Sequence, residues 1–81
     1  MSTELARLRW RCRRGTRELD QMLGGWLEER HAGAPLPARQ AFARLLEHAD
    51  PDLWNWLLGN GAPVDKDEAL LIDEIRTGHR V

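Results

Sequence analysis

The chain holds one cysteine, Cys12, in 81 residues, so no intrachain disulfide can staple it. An unpaired thiol suits a reducing compartment such as the bacterial cytoplasm. Three scattered histidines, His31, His48 and His79, leave no C-x-x-C or H-x-x-x-H spacing, and no metal site is expected. No apolar run nears the roughly 20 residues that span a bilayer, so no membrane insertion is expected. The N-terminal charges precede no apolar stretch of the kind found in a secretory signal. Net charge is scarce too: 12 basic against 13 acidic residues leave −1, which argues against a general nucleic-acid binder. Strand-like alternation, repeats and low-complexity tracts are absent. What remains is a single all-α domain over residues 1–81, near the lower size limit for an unstapled core.

Helical periodicity runs through the chain and predicts five helices at about 3–13, 16–31, 37–48, 51–59 and 66–77. Leu5, Leu8 and Cys12 share a stripe on the first, after a Ser2/Thr3 cap, and Trp10 lies opposite that stripe. Leu19, Met22, Leu23, Trp26 and Leu27 give the second helix the clearest apolar face. Its Gly24 and Gly25 cost helix propensity, which close approach of a neighbouring helix would explain. Ala38, Ala41, Phe42, Leu45 and Leu46 face inward on the third. Asp50 is the expected N-cap of the fourth, with Pro51 at its first position and Leu53, Trp54, Leu57 and Leu58 as its stripe. Gly59 and Gly61 are available to cap its end. Asp65 and Glu68 read as a capping box for the fifth, whose core side is Leu71, Ile72 and Ile75, with Leu70 beside them. His79-Arg80-Val81 reads as a frayed tail. The residues expected in the core are Leu8, Cys12, Leu19, Leu23, Trp26, Phe42, Leu45, Leu53, Leu57 and Ile72.

The unusual stretch is Trp10 to Asp20, where arginines crowd a single glycine between two helices. Gly15 is free to take positive φ or to admit another backbone, and Glu18 faces the positive end of the second helix. On this pattern the corner is either an ordinary solvated turn or a binding surface. Arg14, Gly15 and Glu18 are expected at the solvent, so Arg14→Ala and Glu18→Ala should leave melting nearly unchanged. Catalysis finds little support. Cys12 lies on the apolar stripe, no histidine neighbours it in sequence, and Glu18 and Asp20 do not share a helix face. So short a chain has little room for a pocket of roughly 300 Å³ or more. Arginine with exposed tryptophan favours a protein–protein surface. The rival is a small nucleic-acid-binding or regulatory module that uses the basic first helix.

Trp10-Arg11-Cys12-Arg13-Arg14-Gly15-Thr16-Arg17-Glu18-Leu19-Asp20 resembles the signature of the FAD assembly factor family, the succinate dehydrogenase flavinylation factors of bacteria and mitochondria. The family's R-G-x-x-E falls on Arg14 to Glu18. W-x-C-R precedes it at Trp10 to Arg13, and D-P-D-L-x-N-W-L follows at Asp50 to Leu57. The resemblance covers nearly the whole chain and is loosest over residues 24–40 and 65–81. It implies a five-helix bundle that is no enzyme and has no cofactor of its own. Such a protein binds the flavoprotein subunit of succinate dehydrogenase, and in bacteria that of fumarate reductase. It promotes covalent attachment of the FAD held there, while the flavoprotein itself makes the bond. Nucleic acid is not among the implied partners. Carried over by position, Arg14, Gly15 and Glu18 reach toward the flavin site. Arg13, Trp10, Asp50 and Pro51 extend that face, although packing under a neighbouring helix would equally account for Trp10, and capping for Asp50 and Pro51.

Overall fold

Five α-helices form in a computed structural model that describes residues 3–78: α1 (Thr3–Arg11), α2 (Arg17–Glu29), α3 (Leu36–Leu45), α4 (Asp50–Leu57) and α5 (Lys66–Gly78). A single 3-10 turn, His31–Gly33, links α2 to α3. No strand occurs among the described residues. The expected Ser2 cap and the His79–Val81 tail lie outside those residues. α5 packs against α2, α3 and α4, and α1 lies on α2.

Burial follows the apolar periodicity. Leu8, Cys12, Leu19, Leu23, Trp26, Phe42, Leu45, Leu53, Leu57 and Ile72 are all buried, with Leu27, Leu71 and Ile75 beside them. At the centre the Trp26 ring stacks on Phe42, with centroids 4.6 Å apart. The buried indole N–H is satisfied: Trp26 Nε1 donates to Glu74 at 2.5 Å, which ties α2 to α5. Two residues expected on or beside the apolar stripes, Leu58 and Leu70, are exposed instead. Leu58 is 54 % and Leu70 62 % exposed. Leu58 lies just past the last turn of α4, and Leu70 is on the outer side of α5, where helical spacing alone left its side ambiguous.

The helix ends show where local signals held and where tertiary contacts redirected them. Gly59 (φ +92) closes α4 in a Schellman arrangement, its N–H donating to Trp56 O at 3.0 Å and Asn60 N–H to Asn55 O at 2.8 Å. Asp65 caps α5 by accepting the Glu68 N–H at 3.0 Å. The reciprocal half of a capping box does not form. The Glu68 carboxylate is buried and instead accepts Arg44 Nε at 3.3 Å and meets His48 Nε2 at 2.8 Å, bracing α3 and its following turn against α5. Gly24 and Gly25 do not serve close helix packing, because a Cβ built on either meets nothing within 4 Å.

Candidate functional site: the Gly15 corner

α1 unwinds through Cys12, whose N–H reaches back to Leu8 O at 3.1 Å, and Arg13, whose N–H reaches Trp10 O at 3.1 Å. Gly15 then takes φ +85, and Thr16 is extended before α2 begins. L-residues pay about 1–2 kcal/mol for the left-handed region, so this turn demands glycine. A Cβ built on Gly15 meets nothing within 4 Å, so the space over it is open. The corner is a left-handed bend with its glycine facing outward.

Arg14 overturns the expectation of a solvated side chain. Its side chain is only 16 % exposed. The guanidinium donates through Nη2 to the Leu46 carbonyl and pairs through Nη1 with Asp50 Oδ1 at 3.4 Å. Its Nε is buried with no partner among the described residues. The Arg14 backbone N–H donates to Asp20 Oδ1 at 2.6 Å. Arg14→Ala therefore removes a brace between the α1–α2 corner and the α3–α4 turn, and nearly unchanged melting is no longer expected. Asp50 is corrected in the same way. Ala49 is the N-cap of α4, Asp50 is already helical, and no side-chain cap bond forms. The Asp50 carboxylate faces Arg14 instead. Pro51, in the first turn, is exposed.

Around Gly15 the surface carries the other expected residues. Glu18 is exposed in the first turn of α2. Trp10 is 69 % exposed, so it does not pack beneath a neighbouring helix. The exposed Arg13 guanidinium lies 5.8 Å from the centre of its ring, a cation–π pair worth about 0.5–1 kcal/mol at such a site. Arg9 is turned away from this group and pairs with Glu28 at 2.8 Å, fastening α1 to α2. Trp10, Arg13, Gly15 and Glu18 thus offer an aromatic face, a cation, open backbone and a carboxylate at one bend.

Cys12 lies under the corner as a buried free thiol. Burial pushes its pKa from 9.0 to about 11, a rise that the nearby Arg14 charge only partly offsets. Among the described residues no three His, Cys, Asp or Glu side chains gather as a cation site. The expectation of little pocket space needs correction. A surface groove of about 380 Å³ runs between α2 and α5, lined by Met22, Gly25 and Glu74 among others. Another of about 420 Å³ includes His31, Leu36 and Arg39. Neither includes the corner. Asp20 and the Leu46 carbonyl are the parts of the site that sequence reading missed. No local signal announced the Asp20 contact, because the amide it accepts from lies six residues earlier, before the Thr16 N-cap of α2.

Comparison with known proteins places the sequence in a family. The family described as "Flavinator of succinate dehydrogenase" (Sdh5) matches residues 6–79. The FAD assembly factor SdhE of Yersinia pseudotuberculosis serotype I (strain IP32953) is 40 % identical over 75 residues, covering 93 % of this chain and 85 % of the relative. The FAD assembly factor SdhE of Yersinia pestis matches with the same identity and coverage. A family match that runs from within α1 through the corner and the other four helices decides the matter: the chain belongs to the family of flavinators of succinate dehydrogenase.

Proposed function

We propose that this chain is an assembly factor that docks on the flavoprotein subunit of succinate dehydrogenase through the Gly15 corner and promotes covalent attachment of FAD there. The observation that carries the reading is the exposed left-handed Gly15 with empty space above it, flanked by Glu18, Trp10 and Arg13. Glycine at this position admits the partner's backbone, and Glu18 and Arg13 supply charge-assisted hydrogen bonds at the rim. The FAD belongs to the partner, and the bond to it forms within the partner. The chain's one thiol is buried and held protonated at neutral pH, so it is not offered as a nucleophile in this reading. Its work is to hold the flavoprotein in the conformation in which attachment proceeds. The flavoprotein of fumarate reductase is a second proposed client, and the setting is the bacterial cytoplasm. Nucleic acid is not a partner in this reading: Arg9 and Arg14 are engaged internally, so α1 and its corner offer fewer outward cations than their sequence suggests.

The test is covalent flavin fluorescence of the denatured flavoprotein subunit after incubation with FAD and the chain. Omission of the chain, or Glu18→Ala, should sharply lower the signal while the chain's helical content stays constant. Full attachment with well-folded Glu18→Ala and Gly15→Ala variants refutes docking through the corner.

A further inference from the structure

We infer that Asp20 and Asp50 are positioning residues that act through Arg14 to hold Gly15 in its docking conformation. The inference rests on the docking role proposed above and gives Arg14 a different part from Glu18. Every polar contact of Arg14 is internal: its N–H goes to Asp20 at 2.6 Å, and its guanidinium goes to the Leu46 carbonyl and to Asp50 at 3.4 Å. A side chain only 16 % exposed and pointed into the α3–α4 turn is not available to grip a partner.

Glycine needs such a clamp. Without a Cβ it populates both signs of φ about equally, so an unrestrained Gly15 would sample many bends. Nothing packs over Gly15 to select one, because the space there is empty. Restraint has to come through the chain, and Arg14 is the adjacent residue. Asp20 fixes Arg14 at the backbone, from the first turn of α2. Asp50 and Leu46 fix it at the far end of the side chain, from either side of the α3–α4 turn. Both carboxylates sit in the favourable first turn of their own helices, yet neither caps its helix: α4 is capped at Ala49 with no side-chain bond, and Asp20 bonds a residue outside α2. Since the Arg14 Nε has no partner among the described residues, loss of Asp50 leaves the guanidinium with only the Leu46 carbonyl among them. Binding then weakens by the fraction of molecules that still present the correct bend.

The experiment uses the full chain and two readouts. Amide exchange at Arg14 and Gly15 is followed by NMR in the chain alone, and affinity for the FAD-loaded, not yet flavinylated flavoprotein subunit is titrated. Asp20→Ala should speed exchange of the Arg14 N–H at least tenfold and weaken binding roughly tenfold, the scale of a lost charge-assisted hydrogen bond. Asp20→Asn, which keeps an acceptor oxygen, should recover most of both. Asp50→Ala should weaken binding, yet do nothing further in an Arg14→Ala background; if Arg14→Ala melts too low to assay, Arg14→Gln takes its place. Covalent flavin yield should return at saturating chain in Asp20→Ala and Asp50→Ala, because the contacting groups are intact. Multiplying losses for Arg14 and Asp50, or Asp20→Asn binding as poorly as Asp20→Ala with the Arg14 amide still protected, means direct contact and overturns the inference. The docking reading fails differently. Undiminished binding by Gly15→Ala and Glu18→Ala would remove the corner from docking, and the inference with it. The exchange data would still decide whether the clamp holds the bend.

Discussion

Alanine at Gly15 separates docking from folding, and Gly59 supplies the matched control. Both glycines are left-handed, at φ +85 and φ +92. At Gly15 the added Cβ meets nothing within 4 Å, so only the backbone term applies, about 1–2 kcal/mol. The lower entropy of an unfolded alanine offsets roughly 0.4–1 kcal/mol of this. The net cost is about 1 kcal/mol, or a fall in Tm of about 4–8 °C for a domain this size. An 81-residue domain has roughly 4–12 kcal/mol to lose, so the variant stays folded. At Gly59 the Cβ would also approach Arg76 Nη2 at 2.9 Å, the far end of a flexible side chain that can swing aside. Gly59→Ala should therefore destabilise at least as much, at a site just past the C-cap of α4. Circular-dichroism melting measures the first effect, and fluorescence of covalent flavin on the denatured flavoprotein measures the second. Both variants should melt a few degrees early, and only Gly15→Ala should lower flavin attachment. Equal flavin loss in the two variants, tracking their unfolded fractions, would show that the corner matters only for folding. Normal attachment with Gly15→Ala would show that the open space is not a contact.

Other outcomes follow from particular side chains. Cys12 is an acid whose folded pKa is raised to about 11, so its contribution to stability is complete below its ordinary value of 9.0 and is lost as pH rises toward 11. The alkaline fall in the urea midpoint should flatten in Cys12→Ala, and native Cys12 should alkylate slowly at neutral pH. Burial against Trp26 and Phe42, with help from the Arg39 charge, holds His31 below its usual 6.5. For a base so depressed, the contribution is complete above 6.5 and lost as pH falls through the folded value. The urea midpoint should drop between pH 7.5 and 5.5, and drop less in His31→Gln. Gly24→Ala has room for its methyl and removes a helix penalty of up to about 1 kcal/mol, so it should raise Tm by several degrees.

The core was legible because its signal is local. An apolar residue at every third or fourth position of α2 states which face is inside, and Leu19, Leu23, Trp26 and Leu27 are there. The exposure of Trp10 follows from the same wheel, since it stands opposite Leu8 and Cys12. The Asp65 cap was legible because its partner amide is three residues away. Arg14 and Asp50 were not, because they are 36 positions apart in the chain and nothing in either neighbourhood announces the other. Asp50 stands just before a proline, where a cap is the obvious local reading, and its pairing with Arg14 displaced that reading. Gly24 and Gly25 suggested a close helix contact by analogy with packed glycines, yet no neighbouring atom lies within reach of either Cβ. The structure gives no packing reason for them.

The charge pattern of the first seventeen residues takes on a different meaning once its arginines are sorted by fate. Arg9 is tied to Glu28 and Arg14 is turned inward to Asp50 and Leu46. Arg7, Arg11, Arg13 and Arg17 are exposed and enter no ion pair among the described residues. A continuous basic stripe of the kind that tracks a phosphate backbone would need Arg9 and Arg14 in line with these. Instead Arg11, Arg13 and Arg17 flank a bend that also presents Glu18 and the Trp10 ring. Mixed charge around open backbone suits a partner that offers acceptors, donors and a main-chain segment together, as a folded protein does and a uniform polyanion does not. Arg14 alone is turned inward at the bend, Arg9 is held in an exposed pair with Glu28, and Arg11, Arg13 and Arg17 stay at the solvent around them.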